Sequence, residues 1–248
     1  MPSDYIFLHG GAQGGWVWDE TIAALRCQTD GSFGRALALD IPGCGTKRGR
    51  PTAGLGCDEI ADELIADIES AGLRDIVLVG HSQAGTILPR LLALRPNLFR
   101  RVIYISCIAP LSGQTVLNFR ESGLPGDDGN PVNWSAPQSD PRDLVRTMFC
   151  NDMNPDETGD FLAKLGADAW PPQTYGESEW RYDHLEAFPA SYFICLRDAA
   201  LSAAWQEVFA ARLKVSRLVR FDSGHQVMNT RPHALAEALR REAALLPL

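Results

Sequence analysis

Six short apolar runs punctuate the chain, at residues 5–8, 36–39, 76–79, 102–105, 192–196 and 218–221. Most are continuous rather than alternating, as expected of strands covered on both faces. Longer stretches with helical recurrence lie between them. Ile60, Leu64, Ile65 and Ile68 share one helix face, and residues 18–25, 86–94 and 234–246 carry comparable patterns. Short strands alternating with helices predict a mostly parallel central sheet flanked by helices, in a single α/β domain spanning residues 1–248.

One segment breaks the rhythm. Residues 110–189 contain no clear strand and shift toward Pro, Gly, Asp, Asn and Trp. A structureless loop of that length does not suit a compact domain, so the segment is expected to be a helical cap inserted over the carboxyl edge of the sheet. Its aromatics are Phe119, Trp134, Phe149, Phe161, Trp170, Tyr175 and Trp180. They either line an apolar substrate pocket or form a small core of the cap itself, and the pattern does not choose between the two.

Charge removes some partners from consideration. The 23 Lys and Arg residues against 31 Asp and Glu give a formal net charge of −8, which disfavours nucleic acid and anionic membrane surfaces, since both need a basic face. No apolar stretch approaches the roughly 18 residues of a membrane span, and Met1-Pro2-Ser3-Asp4 lacks the basic start of a signal peptide. Cys27, Cys44, Cys57, Cys107, Cys150 and Cys195 are scattered without metal-type spacing, and are read as reduced thiols. The expectation is a cytoplasmic protein with no nucleic-acid or membrane partner and no metal; its oligomeric state is not legible.

The most informative stretch is Ile76-Val77-Leu78-Val79-Gly80-His81-Ser82-Gln83-Ala84-Gly85, an apolar run leading directly into a helical pattern. A nucleophilic serine gains from a sharp strand-to-helix turn, because its hydroxyl is then held up and exposed. Position 80 is Gly, as the motif G-x-S-x-G requires, whereas position 84 is Ala, whose single extra methyl should still let the turn close. Ser82 is therefore the candidate nucleophile.

Leu8-His9-Gly10-Gly11-Ala12-Gln13-Gly14-Gly15-Trp16 follows the first run. Acyl transfer develops negative charge on the former carbonyl oxygen, and a glycine-rich turn can bring backbone N–H groups close to it. The N–H groups of Gly11 and Gln83 are the candidate oxyanion hole. A nucleotide loop is disfavoured, since no Gly-x-Gly-x-x-Gly stands in register and no Walker lysine follows. His9 is read as organising this loop rather than as a base.

The candidate base is His225, in Asp222-Ser223-Gly224-His225-Gln226 after the last run. His81 sits within the elbow, His184 in the insertion, and His233 at the start of the final helix. Asp198, just past the fifth run, is the candidate orienting carboxylate, giving the chain order Ser82, Asp198, His225. Asp222 and Asp40 are its rivals, the first too near His225 along the chain and the second preceding the elbow.

These pieces together resemble the α/β-hydrolase branch of plant methyl esterases and hydroxynitrile lyases, with similar bacterial carboxylesterases. The matching residues are Leu8-His9-Gly10-Gly11 with Gly14-Gly15-Trp16, the elbow at 80–85, residues 192–198, and Gly224-His225, spread from first strand to last. The resemblance implies a Ser-His-Asp triad, no cofactor, and esters of small or medium acids as substrates. Gly10, with Trp134, Phe149 and Trp170 from the insertion, are the candidate substrate-binding residues. Two positions depart from the lyases, which carry threonine where this chain has Gly10 and lysine where it has Gln226. Without that lysine the site lacks the cation that would hold a leaving cyanide. Amide, lactone or carbon–carbon hydrolysis by the same triad stays open, as does a non-catalytic ligand receptor. A haloalkane dehalogenase, needing a carboxylate at position 82, does not.

Overall fold

The computed structural model describes residues 2–27, 33–119, 141–165 and 168–245. Strands β1 (Ser3–Leu8), β2 (Phe33–Leu39), β3 (Ile76–His81), β4 (Phe99–Ile105), β5 (Ala190–Cys195) and β6 (Arg217–Phe221) form one sheet in the order β2-β1-β3-β4-β5-β6. Every pairing is parallel. All six sequence-predicted runs are strands, each extended or trimmed by a few residues.

Alternation within those runs sends side chains to two separate cores. Ile6, Leu8, Ile76, Leu78, Tyr104, Tyr192 and Ile194 pack beneath α2 (Cys57–Ala71), α3 (Leu88–Leu94) and α6 (Ala203–Arg212). Tyr5, Phe7, Val77, Val79, Ile103, Ile105 and Phe193 face α1 (Asp19–Arg26) and α8 (Pro232–Ala243) instead. Because both faces are covered, an inner strand reads as continuously apolar although its side chains alternate. The face of α2 is the one its spacing marks, with Ile60, Leu64, Ile65 and Ile68 buried. Gly72 stops that helix in the left-handed conformation, at φ +63°. The predicted helix at 86–94 is α3, entered through a tight 3-10 turn at Ser82–Thr86.

Between β4 and β5 the described residues include α4 (Pro141–Phe149), α5 (Pro155–Leu165) and 3-10 turns at Pro172–Tyr175 and Asp183–Ala187. Among the described residues no helix is long and apolar enough to cross a membrane. The order of strands reverses at β1, which lies between β2 and β3. In open α/β sheets the crevice at such a switch point, outside the carboxyl ends of the strands, is where ligands bind. Register places those ends side by side: Leu8 pairs with Gly80, His81 with Ile105, Ile105 with Phe193, and Cys195 with Phe221. The segments following β1, β3, β4, β5 and β6 therefore emerge along one edge.

Candidate active site

Ser82 is the first residue beyond β3 and has φ +54°, a left-handed conformation that is costly for any side chain. The neighbours make that turn possible. A Cβ on Gly80 would lie 2.6 Å from the Leu88 side chain and 3.1 Å from the Ala84 Cβ, and one on Gly85 would lie 2.1 Å from the Ile108 carbonyl oxygen. Ala84 is tolerated because the residue facing it, Gly80, has no side chain. The Ser82 carbonyl accepts from the Ile108 N–H at 3.1 Å, tying the elbow to the chain beyond β4.

The segments after β5 and β6 bring their side chains to this serine. His225 Nε2 lies 3.0 Å from Ser82 Oγ, and His225 Nδ1 lies 2.7 Å from Asp198 Oδ2. A carboxylate accepts, so Nδ1 carries the proton and Nε2 is left free to take one from the serine hydroxyl. Asp198 and His225 are buried, while Ser82 keeps some access to solvent. Burying Asp198 requires donors, and it has several. The N–H groups of Ala200 and Leu201 reach Oδ1 at 2.7 and 2.8 Å, and the Ser106 hydroxyl reaches Oδ2 at 2.5 Å. Gln206 Nε2 adds a longer contact at 3.4 Å. The rivals are engaged elsewhere. Asp222 is exposed and pairs with Arg197 at 2.6 Å. Asp40 accepts from the N–H groups of Gly15 and Thr46 and from the Thr46 hydroxyl.

Two rings confine the imidazole of His225. Phe149, at the end of α4, stacks on it with centroids 5.3 Å apart, and His81 lies against it at 4.5 Å. His81 Nε2 donates to the His225 carbonyl at 3.0 Å. Burial, together with the nearby His225, holds the His81 imidazole well below the usual histidine range, so it stays neutral. A second positive charge beside His225 is thereby avoided.

The glycine loop after β1 passes directly beside the elbow. A Cβ on Gly10 would lie 2.9 Å from Ser82 Cβ, and one on Gly11 would lie 2.4 Å from Gln83 Oε1. Only glycine permits that approach without displacing the serine. The N–H of Gln83 lies in the first turn of its 3-10 helix, where no carbonyl of the turn can accept it. His9 is fully buried, accepts from the Ile41 N–H at Nε2 (3.1 Å), and donates from Nδ1 to the Gly10 carbonyl (2.8 Å). Burial lowers its basicity as well, and both nitrogens are committed to the loop.

Residues 5–238 match the alpha/beta hydrolase family. The chain belongs to that family. Among its relatives, a carbendazim hydrolyzing esterase from Nocardioides is 22% identical over 96% of this chain and 98% of its own length. Two solved structures share the fold. One is an extracellular alpha/beta-hydrolase from a Paenibacillus species, described as sharing structural and functional homology with tobacco salicylic acid binding protein 2. It has a TM-score of 0.77 at 19% identity, covering 98% of this chain and all of that one. The other is a methylesterase from Arabidopsis, with a TM-score of 0.75 at 16% identity and the same coverage.

In this hydrolase, then, Ser82, His225, Asp198, Gly10, Gly11, Gln83 and Phe149 all converge at the carboxyl edge. Trp170 reaches the same edge, but its indole N–H is spent on the Gly10 carbonyl at 3.0 Å and the residue is buried. Trp134 lies outside the described residues. Of the other aromatics between β4 and β5, three pack away from the triad. Phe119 meets Trp205 and Phe209, Phe161 meets Trp16, and the Trp180 indole donates to the Gln114 carbonyl. Tyr175 lies near Gly11, its hydroxyl 3.7 Å from where a Cβ would stand. Sequence reasoning passed over Ser106 and Gln206 because neither belongs to a motif. The remaining signal was only position, one residue past a strand end for Ser106 and the first buried turn of a helix for Gln206.

Proposed function

We propose that this hydrolase is a serine esterase acting on carboxylic esters of small to medium apolar compounds. The observation that carries the proposal is the continuous hydrogen-bonded line from Ser82 Oγ through His225 to Asp198, with links of 3.0 and 2.7 Å. His225 removes the Ser82 proton as the oxygen attacks the ester carbonyl, and Asp198 stabilises the imidazolium that forms. The N–H groups of Gly11 and Gln83 receive the negative charge on the carbonyl oxygen. Collapse expels the alcohol, which takes its proton from His225. A water molecule then gives a proton to His225 as it attacks the acyl-enzyme, and His225 returns that proton to the Ser82 oxygen as the acid leaves.

Support for the ester as the bond broken comes from the relatives, which carry the names carbendazim hydrolyzing esterase and methylesterase. The test is release of p-nitrophenol from its acetate and butyrate esters by the wild type and by Ser82→Ala. Turnover is expected in the wild type and to fall by about a thousandfold or more in the variant. Equal rates in the two proteins, or no ester turnover by a folded wild type, would overturn the assignment.

A further inference from the structure

We propose that Trp170 is a positioning residue for the oxyanion-binding N–H of Gly11; this rests on the esterase reading above. The Gly10 carbonyl accepts two hydrogen bonds, from His9 Nδ1 at 2.8 Å and from Trp170 Nε1 at 3.0 Å. Carbonyl and N–H of one trans peptide point in opposite directions. Fixing the Gly10 oxygen therefore also fixes the direction of the Gly11 N–H. The peptide needs such a hold because glycine stands on both sides of it, and without a Cβ each side rotates at little steric cost. A rotated peptide would direct a carbonyl, not an N–H, toward the developing oxyanion.

Both donors are themselves held. Nε2 of His9 is occupied by the Ile41 N–H at 3.1 Å, so the ring cannot turn over without losing that bond. The Trp170 indole meets His9 edge-on, with centroids 6.0 Å apart. Its backbone is stapled to the loop after β2. The Ala169 N–H donates to the Gly43 carbonyl at 3.2 Å, and Asp168 accepts from the Trp16 indole, the Gly45 N–H and the Arg48 guanidinium. With 3% of its surface exposed, Trp170 has little area left for a substrate. Residues 168–170 thus act as a strap from the insertion that sets one peptide at the sheet edge.

The experiment uses Trp170→Phe, which keeps an aromatic ring and removes the N–H. A second variant carries benzothienylalanine at position 170, where sulfur replaces the N–H in a ring of nearly the same shape. Thermal melts establish that both are folded. For each, kcat and KM are measured on p-nitrophenyl butyrate, together with the inhibition constant of an aryl trifluoromethyl ketone, whose serine adduct places an oxyanion in the hole. The expected result is a fall in kcat of about tenfold to a hundredfold, less than or comparable to losing a donor outright. KM should stay within about twofold, and trifluoromethyl ketone affinity should weaken by the same factor as kcat. Unchanged kcat and inhibition in a folded benzothienylalanine variant would overturn the proposal. So would a rise in KM alone, which would make Trp170 a wall of the substrate pocket. Ser82→Ala separates the two levels of the argument: if its turnover collapses while the position-170 variants are unaffected, only the positioning role falls. If Ser82→Ala stays active, the esterase reading falls and takes this inference with it.

Discussion

Ser106 holds a left-handed backbone, with φ +43°, directly past β4, and its hydroxyl donates to Asp198 Oδ2 at 2.5 Å while lying 3.4 Å from His225 Nδ1. Strain of this kind persists only where surrounding structure enforces it, and it concentrates at functional positions. A hydrogen bond to a charged group contributes about 1.5–3 kcal/mol, and here it steadies the oxygen that also accepts the hydrogen bond from His225 Nδ1. Ser106→Ala is therefore expected to lower kcat on p-nitrophenyl esters by about tenfold or more, at nearly constant KM. A kcat within twofold of wild type would show that the backbone N–H groups of Ala200 and Leu201 suffice alone. Nothing in the local sequence marks this serine, since it becomes significant only when β4 and β5 pair and bring Asp198 to its side. Ser82 was legible for the opposite reason, because its strand, its glycines and its helix are all contiguous.

At the level of elements, the elbow works because β3 and α3 approach across a glycine. Placing a methyl at Gly80 drives it into Leu88 and Ala84, so Gly80→Ala should destabilise the fold by about 1–3 kcal/mol, the usual cost of overpacking. Ala84→Gly creates no clash and should cost no more than about 1 kcal/mol. Denaturant midpoints of the two variants test this, and equal midpoints would contradict it. The six strands were readable because an inner strand buried on both faces admits few polar residues. Helix α6 was not anticipated: its sequence Ala-Ala-Trp-Gln-Glu-Val-Phe-Ala-Ala-Arg is largely small or apolar, with little contrast between faces. Its buried Gln206 instead bonds both the N–H and the carbonyl of Cys195, a task that polarity alone misassigns to the surface. The helix expected from Thr86 begins only at Leu88, because the chain first closes the 3-10 turn at Ser82–Thr86.

Across the whole molecule, the strap at residues 168–170 joins segments more than a hundred positions apart, and Asp168 is its ionic anchor. Burial pushes the Asp168 carboxyl upward, but the Arg48 guanidinium and the N–H groups of Trp16 and Gly45 outweigh it and hold the group below the usual carboxylate range. A carboxyl lowered on folding contributes stability in full above its ordinary value near 4, and loses it as pH falls through the lowered value. The thermal midpoints of wild type and Asp168→Asn should thus differ most at neutral pH and converge below about pH 4. A gap independent of pH would contradict the ionic role. The claim on which everything else depends is that Ser82 is the nucleophile. It is tested most directly by treating the native protein with a fluorophosphonate and locating the adduct by peptide mass spectrometry. One adduct per chain is predicted, on Ser82, and none in Ser82→Ala. An adduct on another residue, or no adduct in a protein that still turns over esters, would contradict the assignment.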